Sequence, residues 1–305
     1  MFRGVTLTAS NGAPPLSSPV PRLRFDAWHI HTRARREIVN WPTAYWLAAS
    51  KRWGWFRPKG RDILLRGDGS LLPQVTPGEA RFVLASIYAA SAVRLEEGVT
   101  FATSHLLELN REVSAKLMGT YSESELRLGV TGGWPGLKEV ILYTLIRKTR
   151  PDLVVETGVA QGVSTTFILD ALERNGKGTL LSIDLPRREG DPMLRVDPTL
   201  VKGTLSPGWL VPARHRGRWE LELGPAELLL PKIGGRPDLF CHDSLHTHQH
   251  MLFEFRWALE NLSRGGVLVG DDIELNDAFG NILREANQRL VPICTRGVGV
   301  ALKVS

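Results

Sequence analysis

Four acids and one histidine stand where this chain could do chemistry. Asp184 ends the apolar run that begins at Thr179. Asp243 follows Leu239-Phe240-Cys241-His242, and Asp271-Asp272 follow the run GGVLVG. Each run has the length and composition of a buried strand, and acids at the carboxyl ends of parallel strands share the sheet edge where ligands bind. Carboxylates brought that close repel one another, and a hard divalent cation relieves the repulsion. Asp243, Asp271 and Asp272 are therefore candidate ligands for magnesium, which prefers oxygen donors and keeps waters or substrate oxygens in its shell. A cation in that place lowers the pKa of a substrate hydroxyl and aims it at an electrophile. His246, three residues after Asp243, has the residue type of a general base for the hydroxyl proton. Four of the eight histidines (His242, His246, His248, His250) fall within nine residues.

The electrophile is suggested by the stretch upstream. Leu153-Val154-Val155 reads as a strand, and Glu156-Thr157-Gly158-Val159-Ala160-Gln161-Gly162-Val163-Ser164 leads from it into a helix. Gly158 and Gly162 allow a ligand to approach the backbone and the free N–H groups at the helix start. Asn175-Gly176 closes that helix, and Asp184 lies at the end of the next strand, where a carboxylate can accept hydrogen bonds from two ribose hydroxyls. The order strand, glycine turn, helix, strand, acid is that of a nucleoside site. The glycines are spaced G-x-x-x-G rather than G-x-G-x-x-G, which argues against a dinucleotide and for S-adenosylmethionine.

The elements that must hold these groups alternate. Gly136 to Thr149 reads as an amphipathic helix with Leu137, Val140, Ile141 and Leu145 on one face, closed by Arg150-Pro151. After it come strands at 153–155, 179–183, 219–223, 239–242, 266–270 and 298–304, with helices at 163–174, 251–261 and 278–290. This pattern predicts an α/β fold, a doubly wound, Rossmann-like sheet of seven strands that is mostly parallel with an antiparallel final strand. The expected organisation is a disordered tail over 1–21, a basic helical region over 22–129 and the sheet domain over 130–305. Within the last, residues 186–218 are long, basic and rich in Pro and Gly, and read as a lid that follows a ligand-contacting strand.

Composition narrows the function classes. With 305 residues the chain can bury a substantial core. No apolar run is long enough to span a bilayer, and the N-terminus lacks the apolar core of a secretory signal, so a cytoplasmic protein without membrane contact is expected. Cys241 and Cys294 lie in strand-like surroundings and read as buried thiols. The net charge of +6 is concentrated at the start: residues 1–66 hold twelve Lys/Arg against Asp26, Glu37 and Asp62, leaving 26 basic against 29 acidic side chains elsewhere. Five of nine tryptophans (Trp28, Trp41, Trp46, Trp53, Trp55) share that segment. Basic plus aromatic residues suit nucleic acid, but no nucleic-acid motif accompanies them. The favoured reading is a solvated basic surface whose tryptophans pack on the core domain or on a second copy of the chain.

Taken together, TGGWPG, VVETGVAQGVST, SIDLP, PGWLVP, DLFCHDSLHTHQHMLFEF and LSRGGVLVGDDIELNDAF resemble class I S-adenosylmethionine-dependent methyltransferases. Within that class they resemble the metal-dependent macrocin and mycinamicin O-methyltransferases of sugars and natural products, a group that also includes cephalosporin-hydroxylase-like proteins. The resemblance covers about residues 130–304. It implies that Glu156, Gly158 and Ser164 line the cofactor, that Asp184 holds its ribose and that Ala226 and Glu227 lie near its adenine. It also implies that Asp243, Asp271 and Asp272 bind magnesium, with His246 as base. Pro225 departs from the pattern, because many methyltransferases carry an acid there. The expected reaction is methyl transfer to a hydroxyl of a small acceptor. Three alternatives stay open: an iron site of two histidines and one carboxylate, an oxidative enzyme of the cephalosporin-hydroxylase type on the same fold, and a non-catalytic binding module that uses the N-terminal region.

Overall fold

The computed structural model describes residues 98–127, 131–185, 199, 201–203, 205–296 and 298–305. The expected tail, the tryptophan-rich basic segment and most of the first half of the expected lid lie outside these residues. The described chain runs α1 (Gly98–Thr120), α2 (Glu123–Arg127), α3 (Leu137–Thr149), β1 (Leu153–Thr157), α4 (Val163–Asn175), β2 (Thr179–Asp184), β3 (Trp219–Leu223), α5 (Ala226–Leu229), β4 (Leu239–His242), α6 (His248–Asn261), β5 (Val267–Gly270), α7 (Ala278–Glu285), β6 (Leu290–Arg296) and β7 (Val298–Lys303).

The strands form one sheet in the order β3-β2-β1-β4-β5-β7-β6. β1 to β5 pair in parallel, and β7 is antiparallel to both β5 and β6. Alternation along the strands divides the core in two. Val154, Leu180, Leu239, Cys241, Val267 and Val269 face α1, α3 and α4. Val155, Ile183, Phe240 and Leu268 face α6 and α7. Covering both faces is what makes the central strands continuous apolar runs, and so legible in the sequence. α1 joins the first of these layers through Leu106, Leu107 and Leu109, and His105 Nε2 pairs with Asp170 of α4 at 2.5 Å. This part of the expected N-terminal region therefore packs directly on the sheet domain.

One expected element is corrected. The helix predicted over 278–290 ends at Glu285, and a seventh strand starts at Leu290. Asn287 and Gln288 have φ of 44° and 69°, a left-handed pair that ends the helix and reverses the chain. β6 is an edge strand, which is why it tolerates Pro292 at a register shift.

The neighbours of β1 diverge in sequence on its two sides, β2 on one and β4 on the other. The crevice of a doubly wound sheet opens at such a point, over the carboxyl ends of the strands. Asp184, Asp243, Asp271 and Asp272 all lie there.

Candidate functional site

The turn after β1 forms the floor of the crevice. Gly158 has φ of 85°, and a Cβ built on it would lie 2.0 Å from the Asp243 carbonyl oxygen. The ends of β1 and β4 thus meet with no room for a side chain, which is the physical reason for glycine at this position. The Gly158 N–H donates to the Ile183 carbonyl at 2.8 Å, and the Ala160 N–H donates to the Asp184 carboxylate at 3.2 Å. Asp184 is thereby held at the mouth of the loop.

Glu156 does not reach the crevice. Its side chain is fully buried and accepts hydrogen bonds from Ser164 Oγ (2.6 Å), Thr165 Oγ1 (2.8 Å) and Ser182 Oγ (2.8 Å). Burial raises its pKa, and the three hydroxyls pull it back only in part. The residue ties β1 to the start of α4 and to β2. Gly162 (φ 90°) also lies off the crevice wall, pressed against Gly208, where a Cβ would be 2.8 Å from the Gly208 Cα.

Part of the expected lid is fastened to the same loop. Gly208 N–H donates to the Ala160 carbonyl (2.9 Å), Leu210 N–H to the Gln161 carbonyl (3.1 Å) and Trp209 Nε1 to Gln161 Oε1 (2.7 Å), an atom that also accepts the Tyr121 hydroxyl at 2.7 Å. Leu210 and Val211 are buried. These described residues form a packed shoulder beside the crevice.

A cavity of about 480 Å3 runs along the strand ends. At one end it is lined by Gly158, Ala160, Asp184, Ala226 and Glu227, and at the other by Asp243, His246, Asp271 and Asp272. A second cavity, of about 450 Å3, shares Gly132, Gly133, Ala160, Asp243, Asp271 and Asp272 with the first and adds Trp134, Lys138 and Ser164. Of the expected site residues, only Glu156 and Gly162 line neither cavity.

A buried network supports the acid-bearing end. Glu254 of α6 is inaccessible to solvent, and its Oε2 binds the Thr157 hydroxyl at 2.6 Å and His242 Nδ1 at 2.5 Å. Its Oε1 binds the Ser244 hydroxyl and His250 Nε2, both at 2.9 Å. Burial alone would raise this carboxyl, but the His242 and His250 interactions hold it well below the usual carboxylate range. The network fixes the segment between Asp243 and Thr247, whose hydroxyl accepts the His250 N–H at the start of α6. The four clustered histidines thus separate by role. His242 and His250 brace the loop on Glu254, His248 meets Asp277 and Asn281, and His246 faces the cavity with its Nε2 4.0 Å from Asp243 Oδ1.

His250 also faces Glu227, 2.9 Å from its Nδ1. Burial lowers its pKa, but Glu254 and Glu227 outweigh that and raise it above 6.5. This contribution to stability is complete below about pH 6.5 and is lost as pH rises through the raised folded-state value. His250→Gln is expected to lower Tm more at pH 6 than at pH 9. Equal losses at both values would exclude a charged His250.

The acids meet a lysine. Lys138, in the first turn of α3, places its Nζ 2.6 Å from Asp243 Oδ2 and 2.6 Å from Asp271 Oδ2, with Glu139 Oε1 at 3.8 Å. Burial would strip its proton, but the two aspartates hold its pKa well above that of a free lysine. The acids titrate as a pair. Burial and the neighbouring Asp271 charge push Asp243 up, while Lys138 brings Asp271 down to about 2 against the effect of burial. Lys138 was not anticipated, because a lysine on the polar side of an amphipathic helix carries no signal of its own.

Ligand atoms of Asp243, His246 and Asp271 lie within 4.8 Å of one another, the only such group among the described residues. Asp272, in left-handed backbone (φ 47°), is not part of it. As chemistry the donor set suits a hard divalent cation. As space it does not while Lys138 is in place, because one ammonium already holds an oxygen of each aspartate.

Residues 155–273 match the family model described as a methyltransferase domain. No curated protein matches the chain. Among solved structures, the chain is similar to the O-methyltransferase TomG from Streptomyces achromogenes (17% identity, 64% of this chain and 96% of that one, TM-score 0.43). It is similar to an SAH-bound methyltransferase from Podospora anserina (16%, 78% and 100%, 0.45) and to an O-methyltransferase from Bacillus cereus in complex with SAH (16%, 65% and 90%, 0.39). The matched domain begins in β1 and ends just past β5, so it spans the strand ends that line the cavity. The seven-stranded sheet, with β7 antiparallel, is the Rossmann-like sheet expected of class I methyltransferases, and residues 155–273 within it carry the methyltransferase domain. The resemblance is borne out at the level of that class. No helix among the described residues is long and apolar enough to cross a membrane.

Proposed function

We propose that this protein transfers a methyl group from S-adenosylmethionine to a hydroxyl of a small acceptor such as a sugar or another natural product. The observation that carries the reading is one continuous cavity with a nucleoside-type end at Gly158 and Asp184 and a proton-accepting end at His246 and Asp243. Asp184 takes the ribose hydroxyls, and the backbone of the Gly158 loop lies along the cofactor. Ala226 and Glu227 border the adenine, and the described shoulder at Gly208–Val211 limits water beside the crevice. Ser164 lines the second cavity and anchors Glu156.

In the reaction the acceptor oxygen attacks the methyl carbon of the sulfonium. The new O–C bond forms as the S–C bond breaks, its electron pair leaves with sulfur as a neutral thioether, and the hydroxyl proton passes to His246. Positioning of the two reactants accounts for much of the acceleration, and the base for about 10²- to 10⁴-fold. His246→Ala is therefore expected to lower turnover by about that factor while S-adenosylhomocysteine still binds as in the wild type. Release of S-adenosylhomocysteine from S-adenosylmethionine over a panel of hydroxylated acceptors measures the first, and titration calorimetry the second. Loss of binding in the variant would overturn the role of His246, and absence of binding to the wild type would overturn the reading as a whole.

A magnesium-assisted form of the same transfer is the second reading, favoured by the grouping of Asp243, His246 and Asp271. It requires Lys138 to leave both aspartates.

A further inference from the structure

We propose that Lys138 is the resident cation of the acceptor end, holding Asp243 and Asp271 where a divalent ion would otherwise sit, so that methyl transfer here proceeds without a metal. This rests on the reading of the cavity as a methyl-transfer site. The two carboxylates are neighbours by construction. His242 of β4 is in register with Gly270 of β5, and each aspartate is the next residue along its strand. The Asp271 N–H donates to the His242 carbonyl at 2.9 Å, so their separation is fixed by backbone. Two acids held together in this way, at 17% and 18% side-chain exposure, repel in the folded protein unless they share a proton or meet a counter-charge.

The chain supplies that charge from a third element. Lys138 comes from α3, outside the β4–β5 pair, and is itself only 11% exposed. A cation in the first turn of a helix is opposed by the helix dipole, and burial of an ammonium is costly, so its location makes sense only through the two aspartates it bridges. Its Nζ sits 2.6 Å from both Oδ2 atoms, and magnesium bound to the same pair would need to lie about 2.1 Å from each. One cation excludes the other from that position. A fixed ammonium can do the electrostatic part of the task. It keeps the acids from repelling, and it places positive charge beside the oxygen that loses its proton to His246. Unlike a metal ion, it does not bind that oxygen directly, so Lys138 acts through the aspartates as a positioning residue.

The test is manganese(II) binding by paramagnetic resonance on the full chain, wild type beside Lys138→Met and Lys138→Arg, with S-adenosylhomocysteine calorimetry on the same samples. The wild type and Lys138→Arg are expected to leave the ion free. Lys138→Met, which vacates the aspartates, is expected to bind it at least ~10-fold more tightly. Wild-type turnover is expected to withstand EDTA. The proposal is overturned if the wild type binds one manganese per chain and loses it in Asp271→Asn, whether or not Lys138→Met folds, or if Lys138→Met folds and gains no binding. A wild type that binds both manganese and S-adenosylhomocysteine rejects the lysine and keeps methyl transfer. One that binds no S-adenosylhomocysteine rejects methyl transfer, and the manganese result still decides which cation the acids hold.

Discussion

Gly158→Ala is expected to unfold this protein at a much lower urea concentration than the wild type, with an unchanged dependence on denaturant. Two costs add at the site. The backbone at φ 85° is disfavoured for any residue with a Cβ, at about 1–2 kcal/mol. The new methyl would also lie 2.0 Å from the Asp243 oxygen, 2.4 Å from its carbon and 2.8 Å from the Ser244 nitrogen. All three are backbone atoms of the loop after β4 and cannot rotate away, so β1 and β4 would have to separate where the sheet is fully buried. The sum is expected to reach about 4 kcal/mol or more, a large share of the 5–15 kcal/mol that holds a typical domain. Gly176→Ala is the matched control, with φ of 67° but nothing within 4 Å of the added carbon. It should lose only the conformational cost, about 1 kcal/mol. Equal midpoints for the two variants would show that the close approach of β1 and β4 contributes nothing.

Asp184→Ala is expected to weaken S-adenosylhomocysteine binding by about 10²-fold with little change in folding stability. Two ribose hydroxyls donating to an ionised carboxylate are worth about 1.5–3 kcal/mol each, and truncation also releases the Ala160 N–H that the carboxylate now accepts. Asp184 lies at the open end of β2 and lines the cavity, so its removal leaves no void in the core. Asp184→Asn keeps the shape and one acceptor, and should lose about 10-fold. Calorimetric titration of the three proteins reads the series directly. An alanine variant that binds as tightly as the wild type would remove Asp184 from the cofactor site.

The fold was largely readable because its signals are local. Leu153–Thr157, Thr179–Asp184, Leu239–His242 and Val267–Gly270 are short apolar runs flanked by Pro, Gly or acid, a pattern that a strand buried on both faces produces. β6 was not readable. Leu290–Arg296 carries a proline, sits at the sheet edge and follows a helix whose end depends on two left-handed residues that are not glycine. The site was readable in part for the same reason. Asp184, Asp243 and Asp271 follow strands, so their place at one sheet edge comes with the strand assignment. Glu156 shows the limit: the family resemblance implied cofactor contact for this residue near the end of β1, but burial and three hydroxyl donors turn it inward.

By itself, the sequence determined the class of fold, the glycine turn and the edge on which the acids gather, since each follows from hydrophobic period and residue type over a few neighbours. Only the tertiary structure decided what those acids face. Lys138 is 105 residues from Asp243 and 133 from Asp271 in sequence, yet its ammonium lies 2.6 Å from both. Pairing of that kind depends on how α3 packs across the ends of β4 and β5, and no local pattern records it. The same packing set His242 and His250 on Glu254 as supports and turned His246 toward the cavity, a division of labour among identical side chains that spacing alone could not make.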